Sequence, residues 1–444
     1  MRLDTFRRAR DRDEPRGTLR VGHDLARNFV VREERRGAVS TPVRRVAATP
    51  VARVPLLGMR APTSSKLHAL RRLGDFDGLL LFCVAALVVG GLVMVYSASQ
   101  LDQPGDPAYW VRRQAWWVGV GAVTLIATAS VPYARWRRVA LWLLVVAVLL
   151  VVAVLPFGIA AGGAQRWLSL WFLLFQPSEL AKFALVIFLA DWLVRRGEGV
   201  RSWRCLLPFG GIVGCVLLLL TLVQNDMGTS LVVALLALAM LYAAGARGWH
   251  VLTVVGLGGV LYFLVIVSTP FRRARLDDFI NPLPPRCAGA WQVCQGLISL
   301  GSGGIGGRGL GDSVQKAGYL PNPFTDSIFA VIGEELGLLG CMALIGLFAL
   351  LAYRGLRIGR HAPDAHGALL ACGMTCWLVG QAFINIGSVV VVIPFTGVPL
   401  PFVSSGGSSL VMSLAAVGVL LNISRHAKRA ATVASVPLQA RNMI

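Results

Sequence analysis

Apolar residues in this chain come in long unbroken runs, not in the alternating or 3.6-residue rhythm of half-buried strands and helices. About 20 such residues in a row let a helix cross a bilayer. Ten runs can be read, at about 77–98, 113–131, 139–157, 177–195, 205–223, 227–246, 249–269, 326–353, 367–393 and 404–423. The polar stretches between them are short, with one exception. From Arg272 to Asp326 the chain is Gly-rich and polar, and loops beyond about 12–15 residues are usually functional or disordered. The pattern predicts an all-α polytopic membrane protein with ten transmembrane helices and a long loop between helices 7 and 8. A closed β-barrel also satisfies the backbone in lipid, but it needs short alternating segments that are missing here. No internal repeat is visible, which counts against an inverted-repeat transporter.

Composition agrees. The 444 residues are 55% hydrophobic and 15% charged, where a soluble domain is nearer about a quarter charged. The formal charge of +21 is concentrated: residues 1–76 hold 18 of the 43 Lys and Arg and no long apolar run. Such a segment cannot bury a core and reads as a disordered cytoplasmic tail that meets anionic lipid. Without aromatic interleaving or a folded module it does not read as a nucleic-acid binder. The expected organisation is a basic tail at 1–76, a membrane domain at 77–423 and a cytoplasmic C-terminal tail at 424–444. Alternate connections carry Arg135/Arg137/Arg138, Arg195/Arg196/Arg201/Arg204, Arg247 and Arg354/Arg357/Arg360. By the positive-inside rule both termini are cytoplasmic and the long loop is extracytoplasmic. Arg272, Arg273 and Arg275 oppose the rule, which weakens in long loops.

Six of the eight cysteines lie in apolar spans, where Cys acts as a small hydrophobe. Cys287 and Cys294 share the long loop and are a possible disulfide if that loop faces an oxidising compartment. No His lies near them to complete a metal site.

Ionisable residues inside spans are costly and usually functional. Glu179 and Lys182 open the fourth span at i and i+3, on one helical face. Glu179 also suits the positive end of the helix dipole after Pro177, so both readings stand for it. Lys182 is worse placed for the dipole, which favours function. Asp226, in the polar turn Gln224–Thr229, has capping of the sixth helix as its simplest role. Glu334 and Glu335 point about 100° apart and cannot both face one partner, so at least one is expected to meet a cavity or a cation. The tenth span opens Pro401-Phe402-Val403-Ser404-Ser405-Gly406-Gly407-Ser408-Ser409. Such a start exposes N–H groups to an anion or simply allows close packing.

Taken in order, Gly163–Trp167, Gln176–Lys182, Gln224–Thr229, Gln315-Lys316 through Asp326, Gly333–Gly337 and Thr396–Ser409 resemble the SEDS family (shape, elongation, division and sporulation), over roughly 75–425. Met94–Ser99 is closer to its FtsW branch than to RodA. The resemblance implies a peptidoglycan glycosyltransferase that polymerises lipid II outside the cytoplasmic membrane. The 4-hydroxyl of one saccharide attacks the anomeric carbon of the growing chain, and undecaprenyl pyrophosphate leaves. It further implies a carboxylate base, groups that steady the pyrophosphate (Arg166, Lys182 and Lys316), and work with a class B penicillin-binding protein within a division or elongation complex. The candidate substrate-binding set adds Glu179, Asp226, Gln315, Thr325, Asp326, Glu334, Glu335, Asn385, Ser404, Ser405, Gly406, Gly407 and Ser408. No cofactor is implied with certainty, and a divalent cation stays open.

One departure matters. Where the family carries its loop aspartate, Asn281–Gln292 has Pro285, which accepts no proton. The nearest acids are Asp277 and Asp278, of which Asp278 is the expected base. Two alternatives follow: a lipid II flippase, or a catalytically altered homologue that serves as scaffold for a transpeptidase.

Overall fold

The computed structural model describes residues 76–435, apart from 104, 162–163, 171–172, 283–286 and 288–290. The expected basic tail, Pro285 and residues 436–444 lie outside the described residues. Ten long helices fall where the apolar runs predict them: α1 Gly78–Ser99, α2 Tyr109–Ser130, α3 Trp136–Phe157, α4 Pro177–Arg196, α5 Trp203–Leu218, α6 Met227–Ala243, α7 Gly248–Val267, α10 Ile328–Arg360, α11 Ala365–Val389 and α12 Gly407–Ser435. Two further helices, α8 Pro270–Ile280 and α9 Trp291–Gly303, structure the long loop.

Seven segments are long and apolar enough to span a membrane by themselves. The other three, α2, α4 and α6, are carried by their neighbours. α4 shows why: Glu179, Lys182 and Asp191 are all buried in it, so protein and not lipid is its solvent. α7 is the opposite case, since only His250 is buried along its length. The bundle thus has an inner group centred on α4, α11 and α12, and an outer, lipid-like α7.

Helix starts follow local chemistry. Asp77 accepts from Leu80 N at 3.0 Å, Asp226 from Thr229 N at 3.0 Å and Asp364 from Gly367 N at 2.8 Å. Each satisfies an N–H that the first turn leaves orphaned. Close helix packing uses small residues. A Cβ at Gly418 would overlap Thr128, whose hydroxyl instead donates to Ala415 O at 3.0 Å, binding α2 to α12.

Two features escape the run-length reading. The polar segment before α4 is a three-stranded antiparallel sheet: β1 Gly158–Ala161, β2 Ala164–Leu170 and β3 Leu173–Phe175, with Ile159 opposite Trp167 and Leu168 opposite Phe175. The eighth span is also broken. Gly337 has φ 66° and ψ −163° inside α10, so the helix stops and restarts. A break inside a membrane must find new partners for the freed backbone groups. Here Arg308 N and Gly309 N donate to the carbonyls of Glu334 and Glu335, while Leu338 N and Leu339 N donate to those of Gly304 and Ile305. The loop passes so close that a Cβ at Gly307 would overlap the Glu335 carbonyl oxygen.

Candidate active site

Polar chemistry collects at the end of the bundle that carries the sheet, α8, α9 and the 390–406 connection. Its geometry begins with an irregular turn. α5 runs into a π-helical turn, Leu219–Val223, before Gln224. Asn225 then takes a left-handed φ of 50°, which Asn tolerates better than most residues. The carbonyls this leaves unmatched are taken by arginines from two other elements. From β2, Arg166 donates to Gln224 O at 3.3 Å and Asn225 O at 2.7 Å. From α8, Arg272 donates to Thr221 O at 2.9 Å and Asn225 Oδ1 at 2.8 Å. Arg275, one turn on, donates to Phe395 O at 3.2 Å in the connection before α12.

Two of these arginines, Arg166 and Arg275, lie within electrostatic reach of Asp326. It lies in the loop just ahead of α10, half-buried, with its main-chain carbonyl bonded to Asn385 Nδ2 at 2.9 Å. Its carboxylate accepts no hydrogen bond from a described residue. A Cβ at Gly397 would lie 3.4 Å from Asp326 Oδ2, so the 394–403 connection backs the carboxylate closely. Enclosure pushes the Asp326 carboxyl up to about 7; Asp226 adds to the rise, while Arg166 and Arg275 oppose it.

The residue before it, Thr325, lines a cavity of about 290 Å³. Trp110, Trp117, Trp167 and Phe324 form aromatic walls, and Arg113, Ser405, Gly406 and Gly407 supply polar groups. Backbone bonds hold this wall. Ser405 N donates to Phe324 O at 2.9 Å, Ser404 Oγ to Thr325 O at 2.6 Å, and Gly406 N to Gln114 Oε1 at 3.4 Å. Ser408 joins α12 to the sheet by donating to Leu174 O at 3.3 Å, and it accepts from Gln176 N at 3.1 Å. A second cavity, of about 390 Å³, is lined by Asp102, Lys316, Leu320 and Asn322 among others.

The remaining expected site residues form internal braces. Lys182 is fully buried, bonded to Glu179 Oε1 at 2.7 Å and Gln381 Oε1 at 2.6 Å, and lies over the Trp377 ring. Glu334 accepts from Ser299, Ser313 and the amides of Val314 and Gln315, and Arg308 reaches it at 3.2 Å. Glu335 takes Lys316 Nζ at 3.0 Å and the Ser97 hydroxyl. Each glutamate therefore meets its own cation, Arg308 for Glu334 and Lys316 for Glu335, both just ahead of the helix break. The phosphate contacts expected of Lys182 are replaced here by a closed network. Lys316 reaches the larger cavity with its amine already shared among Glu335, Ser97 and Gly311 O. Asp226 spends both oxygens on Thr229 and is a cap.

The two acids expected to supply the base sit on α8. Asp277 is exposed and Asp278 half-buried. Burial raises the Asp278 carboxyl, Arg275 opposes this, and Asp277 adds to it. Cys287 and Cys294 form a disulfide, with Cα atoms 5.7 Å apart, at the entry to α9. Among the described residues no group of three or more His, Cys, Asp or Glu is placed to hold a metal ion. The sequence reading missed the aromatic wall and the role of Arg275. The signal for Arg275 was present, because a cluster of arginines opposing the charge rule asks for a structural reason.

A multi-pass membrane protein with a charged, aromatic-walled cleft at one end is the class that fold and site define. Residues 77–429 match the FtsW/RodA/SpoVE family, described as cell cycle protein, and the chain belongs to that SEDS family of peptidoglycan-synthesis membrane proteins. It is 38% identical over 360 residues to stage V sporulation protein E of Bacillus subtilis (strain 168), covering 79% of this chain and 98% of that one. It is 40% identical over 368 residues to the probable peptidoglycan glycosyltransferase FtsW of Trichlorobacter lovleyi, covering 81% and 96%. Among solved structures, it is similar to one from a study of polymerisation and crosslinking by a peptidoglycan synthase complex, at TM-score 0.66 and 29% identity over 79% of this chain and 98% of that one. The crystal structure of the rod shape determining protein RodA of Thermus thermophilus matches at TM-score 0.58 and 29% identity, covering 79% and 97%.

Proposed function

We propose that this chain is a peptidoglycan glycosyltransferase that polymerises lipid II, with release of undecaprenyl pyrophosphate. One observation carries the reading: the Asp326 carboxylate lies within electrostatic reach of Arg166 and Arg275, and the residue before it, Thr325, lines the aromatic-walled cavity. Glycosyl transfer from a lipid diphosphate needs a proton acceptor at the attacking hydroxyl and positive charge at the leaving diphosphate. It also needs apolar faces on which sugar rings can lie, and Trp110, Trp117 and Trp167 have that character. The relatives named as probable peptidoglycan glycosyltransferases support the same reaction class.

The arginine-rich connections support an orientation with both termini in the cytoplasm of a bacterial inner membrane and the cleft on the outer face. A class B penicillin-binding protein is the proposed partner, by analogy with the peptidoglycan synthase complex. The test uses purified protein with its transpeptidase and lipid II in detergent, followed by a gel for glycan strands. Polymer is the expected result. Movement of labelled lipid II across vesicles without polymer would replace this reading by a flippase, and neither activity would leave a scaffold.

A further inference from the structure

The reaction proposed above moves one proton from the attacking hydroxyl, and Pro285 is not chemically able to take it. Most acids at the loop end are already committed. Asp226 caps α6, Asp102 accepts from Trp110 Nε1 at 2.7 Å, and Asp106 pairs with Arg112. Glu334 and Glu335 are closed inside the broken span by the bonds described above. Asp277 and Asp312 are exposed, where a carboxylate is a weak base and fully hydrated. Asp278 is half-buried but lies one turn from Arg275 on the same helix, with Asp277 beside it. Asp326 differs from all of these. It is half-buried, its carboxylate accepts no hydrogen bond from a described residue, the 394–403 connection backs it at Gly397, and its backbone is fixed on both sides. Asn385 holds the Asp326 carbonyl, and Ser404 holds that of Thr325.

On the glycosyltransferase reading, we infer that Asp326 is the catalytic base of this chain. Its carboxylate takes the proton of the acceptor 4-hydroxyl while that oxygen bonds to the donor's anomeric carbon. The bond from that carbon to the diphosphate oxygen breaks, and its electron pair leaves on undecaprenyl pyrophosphate. The charged groups facing Asp326 come from three elements: Arg166 on β2, Arg275 on α8 and Asp226 at the start of α6. The two cations oppose the rise that burial causes, and a carboxyl near 7 suits a base working at neutral pH.

The experiment measures lipid II polymerisation by the full chain with its transpeptidase, alongside binding of labelled lipid II. Asp326→Asn is expected to lower turnover about 10²–10⁴-fold, the usual contribution of a general base, with lipid II still bound. Asp326→Glu is expected to keep partial activity with a shifted acid limb, which a merely structural role does not produce. The inference is overturned if wild type polymerises and Asp326→Asn stays within tenfold of it. It is equally overturned if Asp326→Asn loses lipid II binding together with turnover, or if Asp278→Asn alone abolishes polymer. Absence of polymer from wild type defeats the glycosyltransferase reading itself, and the base assignment with it.

Discussion

Arg308 and Glu334 are joined twice, once through main chain and once through side chain. The Arg308 amide donates to the Glu334 carbonyl at 3.0 Å, and its guanidinium reaches the Glu334 carboxylate at 3.2 Å. The loop after α9 is thereby fastened to the interrupted span at its break. That fit depends on Gly307, where φ is +78° and a Cβ would overlap a carbonyl oxygen. Gly307→Ala is expected to cost roughly 2–3 kcal/mol through backbone strain and overlap. A fall in the detergent-solution melting midpoint is the readout, and an unchanged midpoint would show that the loop is not fastened this way.

The Glu179–Lys182–Gln381 network predicts strong coupling. Removing one member of a buried ion pair leaves an uncompensated charge, worth about 3–5 kcal/mol, whereas replacing both partners costs much less. Lys182→Met is therefore expected to destabilise more than the double variant Glu179→Gln/Lys182→Met. A double-mutant cycle on melting midpoints checks this, and additive effects would refute the pair.

Asp326 also carries a stability signature. Its carboxyl lies at about 7 in the folded chain, against about 3.9 for an ordinary aspartate. The folded state therefore holds that proton more tightly. The resulting penalty is absent below the ordinary value, grows between the two and is complete above about 7. Asp326→Asn is expected to raise the melting midpoint relative to wild type at pH 8, and to raise it little at pH 4. An equal effect at both pH values would contradict the enclosure.

Arg166 lowers the Asp326 carboxyl, so its removal must raise it further. Arg166→Gln is expected to move the acid limb of the polymerisation profile to higher pH, in addition to any loss of turnover. A limb that stays in place would separate Arg166 from the electrostatics of Asp326.

The Cys287–Cys294 bridge closes an eight-residue loop, for which chain entropy gives about 2.5 kcal/mol. Cys294→Ser is expected to lower the melting midpoint and to abolish the sensitivity of wild type to reductant. If reductant leaves the wild-type midpoint untouched, the bridge contributes nothing to stability.

The bundle was legible because lipid sets a length that sequence must match, and ten apolar runs declare it. The polar features were less so. The sheet before α4 is short, and its turn glycines look like any loop. The break at Gly337 is hidden because Gly333-Glu334-Glu335-Leu336-Gly337 reads equally well as a continuous helix carrying two acids. For Glu334 and Glu335 it was legible that at least one meets a cavity or a cation, since two adjacent side chains diverge around a helix. Their partners, Arg308 and Lys316, were not, because a fold through α9 brings them back. Asp326 was among the expected substrate-binding residues, but its surroundings depend on β2 and α8 meeting near one point, and no local spacing encodes that.

The split span has a mechanical corollary. Its two halves share no continuous ladder, and what joins them across the break is the strap that follows α9, bonded to each half. A pull on α9 therefore reaches both halves of the span at one point.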